Sequence, residues 1–490
     1  VAIEHSPKEA RLNLRTRFLL SAVAVAALSC GSNSDKPIGG STGGSSGSGG
    51  SGASGGSTAT GGSGGVAGAT GGGSATGGSN GTGGSNATGG SSSPTGTGGA
   101  STSDAAATPD AVVSLPSDGS ATEAAAGDGA PVVAPPFSAS YFIGADITWI
   151  QHDEFYGATY VDTDGTTKDI LALMKNHGFN SVRLRTFVDP KAADGYDKVD
   201  GFGDLAHTLT MARRVKQAGM GFYLAIHYSD NWADPGKQCI PVAWQADTTL
   251  AALTQHLSDY TSNLITTLVA GGARPDLVQV GNEITGGMLE HICDVNGIPI
   301  PNTPVPVSGS ASNWANLGTL LKAGIQAVKT VDPTIKVVLH IDKGGDLTAS
   351  VNWINNARTQ MVPFDVFADT SYVRWQGQPS TWQNTFRMLT TMFPTLSFLI
   401  PEYGNETATS PATPSTMRIA NDIVFGIPTN RGIGTFIYEP EHPAQSGIGI
   451  GLFGSTRTDA GITDAWPVFT ALPDAMAVYD QMKAAYASRL

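Results

Sequence analysis

The sequence predicts an α/β protein: a closed (β/α)8 barrel preceded by a disordered Gly/Ser/Thr-rich tether. Three observations predict it. Short apolar runs alternate with longer amphipathic segments eight times over, every run ends on polar side chains, and composition changes abruptly near Phe137.

The chain has 490 residues. Residues 1–30 read as an export signal. Arg11, Arg15 and Arg17 precede FLLSAVAVAALS at 18–29, which is too short for an ordinary transmembrane helix and the right size for a signal h-region. Cys30 follows, then Gly and Ser, an order similar to a bacterial lipoprotein signal in which the cysteine is lipidated. Ala27 stands where Leu is usual, and an ordinary secretory signal is the alternative. The expectation is an exported protein: a cell-surface or periplasmic lipoprotein, or a secreted one, meeting the membrane only through a lipid anchor. Residues 31–136 contain runs such as GGSTGGSSGSGGSGASGGS, with too little apolar surface to offset the entropy of ordering them. They are expected to form a flexible tether. Residues 137–490 remain as the globular domain. The net charge of −13, without a basic block, argues against nucleic acid as a partner.

Within that domain the candidate strands are 141–147, 181–187, 221–229, 277–284, 336–342, 364–372, 397–403 and 432–440. They are nearly continuous apolar runs, as expected of parallel strands covered on both faces. The segments 167–178, 205–220, 257–272 and 314–331 repeat apolar residues at helical spacing, the first closing on Gly178. A doubly wound open sheet is the competing topology, but it usually carries a Gly-rich phosphate loop after its first strand, and GADITW at 144–149 is not one.

In a barrel the C-terminal strand ends face one basin. Here those ends carry Asp146 and Trp149, Arg183 and Arg185, His227 and Asp230, Asn282 and Glu283, His340 and Asp342, Asp369 and Tyr372, Glu402, and Tyr438 with Glu439. Singly each has an ordinary reading, as a helix cap, an ion-pair partner or a core histidine. Together they point into one site. VQVGNEI at 278–284 is the sharpest case, an apolar run interrupted by an amide and a carboxylate. Strands four and seven lie nearly opposite across a small barrel, so Glu283 and Glu402 are expected to face each other. Such a pair suits glycoside hydrolysis, one carboxyl protonating the leaving oxygen and the other attacking the anomeric carbon. The two need unequal pKa values, and Arg183 or Arg185 would keep Glu402 ionised. Asn282 would hold the hydroxyl beside the reacting carbon. Trp149, Trp232, Trp375 and Tyr438 offer faces for sugar rings, whereas Trp244 is as readily explained by packing.

At these residues the chain resembles the endo-β-1,4-galactanases of glycoside hydrolase family 53, in the retaining clan of barrel glycosidases. HYSDNWADPGKQ at 227–238 follows the strand-three loop of that family, VQVGNEITGGML at 278–289 its strand-four signature, and GADITW, VRLR at 182–185 and LHIDKGGD at 339–346 also fit. The resemblance covers essentially the whole globular part. It implies Glu283 as acid/base and Glu402, in FLIPEYG, as nucleophile. It implies a galactan or arabinogalactan substrate, bound with help from Asn282, Arg183, Arg185, His227, Asp230, Trp232, Asp146, His340, Tyr372, Trp375 and Tyr438. Catalysis then requires no cofactor. Some bacterial relatives bind a structural calcium in a late loop, for which no ligand set is assigned here. A monomer is expected. The chain departs from the family pattern at three places. Pro401 and Tyr403 flank Glu402, the strand-six loop reads SYVRWQG, one residue shorter and with Arg374 in place of a Pro, and Tyr438 replaces a Trp.

Two other readings compete: a polysaccharide-binding barrel without catalysis, and a metal-dependent hydrolase built on His227, Asp230 and His340. The first does not require a carboxylate pair, and the second lacks tight ligand spacing. A retaining β-glycanase of another preference is the variant of the main reading. Cys239 and Cys293 lie after strands three and four, which are neighbours in a barrel, and in an exported protein they are expected to be bridged. A pair of buried free thiols is the alternative.

Overall fold

A computed structural model describes residues 139–404, 414–441, 451–455 and 468–490. The signal and lipidation reading at 1–30, with Cys30, and the tether reading at 31–136 lie outside the described residues. The same is true of much of the late loop region in which a calcium would be sought.

Eight strands run parallel around a closed barrel: β1 (Phe142–Asp146), β2 (Ser181–Thr186), β3 (Gly221–Ile226), β4 (Leu277–Val280), β5 (Lys336–Ile341), β6 (Val366–Asp369), β7 (Ser397–Tyr403) and β8 (Gly432–Tyr438). β1 pairs with both β2 and β8, which closes the ring and leaves no open edge. Alternate residues of each strand point inward or outward. Phe142, Tyr223, Leu277, Val338, Leu399 and Phe436 form one buried cluster separate from the main core. The outward residues pack on the helices. Gly144 is required by close approach: a Cβ there would lie 2.2 Å from the Phe436 ring.

The helical layer comprises α1 (Ile170–Asn176), α2 (Leu205–Gln217), α3 (Leu250–Ala270), α4 (Trp314–Val331), α5 (Leu347–Thr359), α6 (Pro379–Met392), α7 (Pro414–Phe425) and α8 (Pro473–Ala485). Five helix starts are fixed by side-chain caps: Asp169, Asp204, Thr249, Asn313 and Asp346 each accept from a first-turn amide. Thr249 explains why α3 starts at Leu250 and not at Leu257, where the apolar periodicity becomes clear. Among the described residues no helix is long and apolar enough to cross a membrane.

Several strands stop earlier than their apolar patterns suggest. β3 ends at Ile226, β4 at Val280 and β6 at Asp369. His227, Asn282, Glu283 and Thr370 therefore follow the last ladder residues, where the backbone turns toward the barrel mouth. β7 reaches the same end through an irregularity. Its register with β8 shifts between Ile400 and Tyr403, around Pro401, which has no amide hydrogen to give the ladder. Tyr403 then faces the helical layer, its hydroxyl 2.9 Å from that of Tyr479 and 3.0 Å from Asn421 Nδ2. The two residues flanking Glu402 thus serve backbone and packing.

Cys239 and Cys293 are bridged, with 54 residues of sequence separation and 5.8 Å between their Cα atoms. The bond ties the loop after β3 to the loop after β4. Replacing both cysteines by alanine is expected to cost about 2–4 kcal/mol of stability. A thermal melt of the double variant beside the oxidised wild type checks this, and equal midpoints would show that the bridge contributes nothing.

Candidate active site

Arg183 lies at the centre of the mouth and is fully buried. A guanidinium removed from water needs several partners. Its Nη1 donates to Asp146 Oδ2 at 2.7 Å and lies 2.9 Å from Glu402 Oε1. Its Nη2 donates to Asn282 Oδ1 at 2.8 Å and Gln279 Oε1 at 3.1 Å. One side chain of β2 thereby touches residues of β1, β4, β7 and the turn after β4. Burial pushes the Glu402 carboxyl up, and the Arg183 charge pulls it back down.

Glu283 sits in the turn after β4, where Gly281 and Glu283 both have positive φ, +86° and +47°. A left-handed backbone is unusual for Glu, and such strain is concentrated at functional sites. Gly281 suits the turn because it carries no Cβ. Among the described residues no cation is paired with Glu283. Its Oε1 lies 2.8 Å from Thr370 Oγ1. Burial pushes its carboxyl well above the usual range, and the charges of Glu402, Asp342 and Asp234 push it further. The two glutamates thus differ in kind: one is held against a guanidinium, the other faces negative neighbours and a hydroxyl. This arrangement favours Glu402 over Glu283 as the carboxyl that ionises first.

The glycosyl hydrolase family 53 model matches residues 142–473, most of the chain. The chain belongs to glycosyl hydrolase family 53. It is 27% identical over 329 residues to an arabinogalactan endo-beta-1,4-galactanase of Thermothelomyces thermophilus, covering 62% of this chain and 91% of that one. It is 35% identical over 205 residues to a probable arabinogalactan endo-beta-1,4-galactanase A of Aspergillus tubingensis, covering 41% of this chain and 51% of that one. An uncharacterized protein of Niallia circulans is 37% identical over 238 residues, 49% of this chain and 60% of its own. The chain therefore spans between half and two thirds of two of these relatives and most of the third. Among solved structures, the family 53 catalytic domain of Ignisphaera aggregans superposes with a TM-score of 0.56 at 26% identity, covering 71% of this chain and 97% of that domain.

Around this family 53 centre the other expected residues take distinct places. Asn282 is nearly buried, and its Oδ1 is filled by Arg183, Gln279 Nε2 at 2.8 Å and His340 Nδ1 at 3.1 Å. Its Nδ2 donates to the Ala233 carbonyl at 2.9 Å, so it faces a ligand with its one remaining amide hydrogen and accepts nothing more. His227 Nδ1 accepts from the Ala233 amide at 2.9 Å, which puts the ring hydrogen on Nε2. That nitrogen is buried and has no hydrogen-bond partner among the described residues. Arg185 binds Tyr438 Oη at 2.7 Å and Glu439 Oε1 at 2.7 Å, and it stacks 4.1 Å from the Trp232 ring. Trp149 donates to Glu439 Oε1 at 2.5 Å and lies 5.7 Å from Trp232, so these aromatics form one wall. Tyr372 Oη lies 3.5 Å from Glu402 Oε2, and its ring meets Trp375 edge-on at 5.3 Å. Trp244 packs beside His256 and Tyr260 as a core residue.

Several residues expected to touch sugar are placed otherwise. Asp146 and Arg183 have no solvent exposure and hold each other and their neighbours. Asp230 is buried and accepts from the amides of Asp189 at 2.9 Å and Val242 at 2.7 Å, fastening two loops together, and burial pushes its carboxyl up to about 7. His340 has no solvent exposure and both ring nitrogens are engaged behind Asn282. His227, Asp230 and His340 also do not converge on one point: among the described residues no group of three or more His, Cys, Asp or Glu is placed to hold a metal ion. Sequence reasoning gave no role to Gln279, Thr370 or Glu439. Gln279 and Thr370 look like ordinary strand residues. Glu439 stood among the polar strand ends expected to face the site but was assigned no role of its own.

Arg183→Met would leave Glu402 buried without the cation it touches, a loss of about 3–5 kcal/mol at pH 7. Removing that cation raises the folded-state pKa of Glu402 further above the unfolded value, so the penalty grows as pH rises through it and shrinks as pH falls and the carboxyl protonates. Urea unfolding of both proteins at several pH values checks this. A penalty independent of pH would point to lost packing instead of lost charge.

Proposed function

We propose that this protein is an endo-acting glycosidase that cleaves β-1,4-galactosidic bonds in galactan or type I arabinogalactan with retention of configuration. Glu402 is the nucleophile and Glu283 the acid/base. The observation that carries this reading is the unequal setting of the two carboxyls, Arg183 2.9 Å from Glu402 and, among the described residues, a hydroxyl but no paired cation at Glu283. In the first step the Glu402 carboxylate attacks the anomeric carbon while Glu283 protonates the departing oxygen. In the second, Glu283 takes a proton from water as that water displaces Glu402. The free amide hydrogen of Asn282 and the Nε2–H of His227 are the donors for hydroxyls of the sugar beside Glu402, and Trp232 and Trp375 are the faces on which rings stack.

The substrate class rests on the family and on relatives described as arabinogalactan endo-beta-1,4-galactanases. Arg374 and Tyr438 depart from the family pattern at the loops that shape sugar subsites, which favours a related β-linked glycan as the second reading. Export through residues 1–30, with Cys30 lipidated, is part of the proposal and would place the enzyme where polymeric glycans are met. The functional unit is proposed to be the monomer, requiring no cofactor for the reaction.

Incubation of the protein with linear β-1,4-galactan is expected to release short galacto-oligosaccharides, and Glu402→Ala is expected to release none. Release from a different β-glycan alone would move the substrate and keep the chemistry. No release from any glycan would overturn the enzyme reading. In the kcat/KM profile the acid limb is expected to follow ionisation of Glu402 and the alkaline limb loss of the Glu283 proton. Glu283→Gln is expected to lose about 10²–10⁴-fold on galactan and much less on an aryl galactoside whose leaving group needs no proton.

A further inference from the structure

The residues behind Glu283 are connected in a single line. Thr370 Oγ1 lies 2.8 Å from Glu283 Oε1, His340 Nε2 lies 2.7 Å from Thr370 Oγ1, and His340 Nδ1 lies 3.1 Å from Asn282 Oδ1. Thr370 and His340 are buried, so no solvent interrupts the line.

The direction of these hydrogen bonds follows from the Asn282 end. Asn282 Oδ1 already accepts from Arg183 Nη2 and Gln279 Nε2, and Nδ2 donates to the Ala233 carbonyl. Turning the amide over would set its hydrogens against a guanidinium, so Oδ1 faces His340 as an acceptor. The hydrogen of neutral His340 therefore resides on Nδ1, and Nε2 is bare. A bare Nε2 at hydrogen-bond distance takes the Thr370 hydroxyl hydrogen. Thr370 then has only lone pairs to offer Glu283.

We propose that Thr370 and His340 are positioning residues that hold Glu283 in its acid form, because the Thr370 hydroxyl donates to His340 and offers the Glu283 carboxyl an acceptor in place of a donor. This rests on the acid/base reading of Glu283. In the resting enzyme the Glu283 O–H donates to Thr370, and it turns to the glycosidic oxygen when substrate arrives. Once the proton has gone to the leaving oxygen, Thr370 can donate to the carboxylate only if its hydroxyl turns away from Nε2. Nε2 must then lose its partner or gain a proton. Gaining one is opposed by burial and by the nearby charge of Arg183. The line thus favours return of a proton to Glu283, the direction needed when it acts as base toward water. The acidic groups facing Glu283 act the same way: Glu402 from β7, Asp342 after β5, which itself pairs with Lys343 at 3.0 Å, and Asp234 after β3. The Tyr372 hydroxyl after β6 is neutral.

The test is the alkaline limb of the kcat/KM profile on galactan in Thr370→Val, Thr370→Ser and His340→Phe. If Thr370 is an acceptor for the acid, its removal lowers the pKa of that limb, by about 1 pH unit for one hydrogen bond. Thr370→Ser keeps the hydroxyl and is expected to keep the wild-type limb. His340→Phe frees the Thr370 hydroxyl to donate to the carboxylate, so the limb falls at least as far. A limb that rises in Thr370→Val would show that the hydroxyl donates to Glu283 in the wild type and would overturn the proposal. An unmoved limb in either Thr370→Val or His340→Phe, with the variant folded by its melting curve, would overturn it as well. If either of those two fails to fold, the other variant and the pH dependence of the Glu283 carboxyl infrared band in wild type decide by the same direction. Glu283→Gln separates the two levels of the account. If that variant keeps the alkaline limb or full turnover on galactan, the acid/base reading has failed; if it loses both and the Thr370 and His340 variants behave otherwise than stated, only the relay has failed.

Discussion

A guanidinium without solvent exposure is the constraint on which the barrel mouth depends. Arg183 cannot lose its charge, and a buried cation is costly unless its donors meet acceptors, which here both terminal nitrogens do while Nε has no hydrogen-bond partner among the described residues. Its partners come from β1, β4, β7 and the turn that carries Asn282. Meeting them fixes where Glu402 points, which face Asn282 presents and how the Gly281–Glu283 turn leaves the sheet. The β7 register shift at Pro401 and the positive φ of Glu283 are local departures that bring both carboxyls to this centre. Arg185, one alternate residue further along β2, does the same for the aromatic wall.

The chemistry follows from asymmetry. Glu402 is buried and Glu283 partly so, hence neither ionises as freely as in water, and each disfavours charge on the other. The nearby cation resolves which one gives up its proton first. On the Glu283 side, acidic neighbours and a hydroxyl already committed to His340 act in the same direction. A barrel mouth built only for binding sugar would need the donors and the aromatic faces, but not this difference between two carboxyls.

Much of this was legible in the sequence, for stated reasons. Strands buried on both faces must be apolar runs, so all eight stand out, and a carboxylate inside one, as in VQVGNEI, is conspicuous. The Cys239–Cys293 pairing followed once the strand order was known. Strand and helix ends were less legible. Pairing stops where side chains must turn into the mouth, and α3 begins at a threonine cap that periodicity does not reveal. His340 and Asp230 show a second limit. Polarity at a strand end marks proximity to a site, yet whether the side chain reaches a ligand depends on what stands in front of it. Asn282 covers His340, and two loop amides occupy Asp230. Thr370 and Gln279 were illegible because their importance lies in what they contact across the barrel.

The measurement that tests the central claim most directly is mass spectrometry of the protein after exposure to a 2-deoxy-2-fluoro-galactobioside with an activated leaving group. Fluorine beside the anomeric carbon slows both steps, and the good leaving group restores only the first, so the glycosyl-enzyme accumulates. The account predicts a single galactobiosyl adduct on the peptide containing Glu402. A label on Glu283 or on another residue, or turnover of the natural glycan with no adduct at all, would contradict the assignment of Glu402 as the ionised nucleophile held by Arg183.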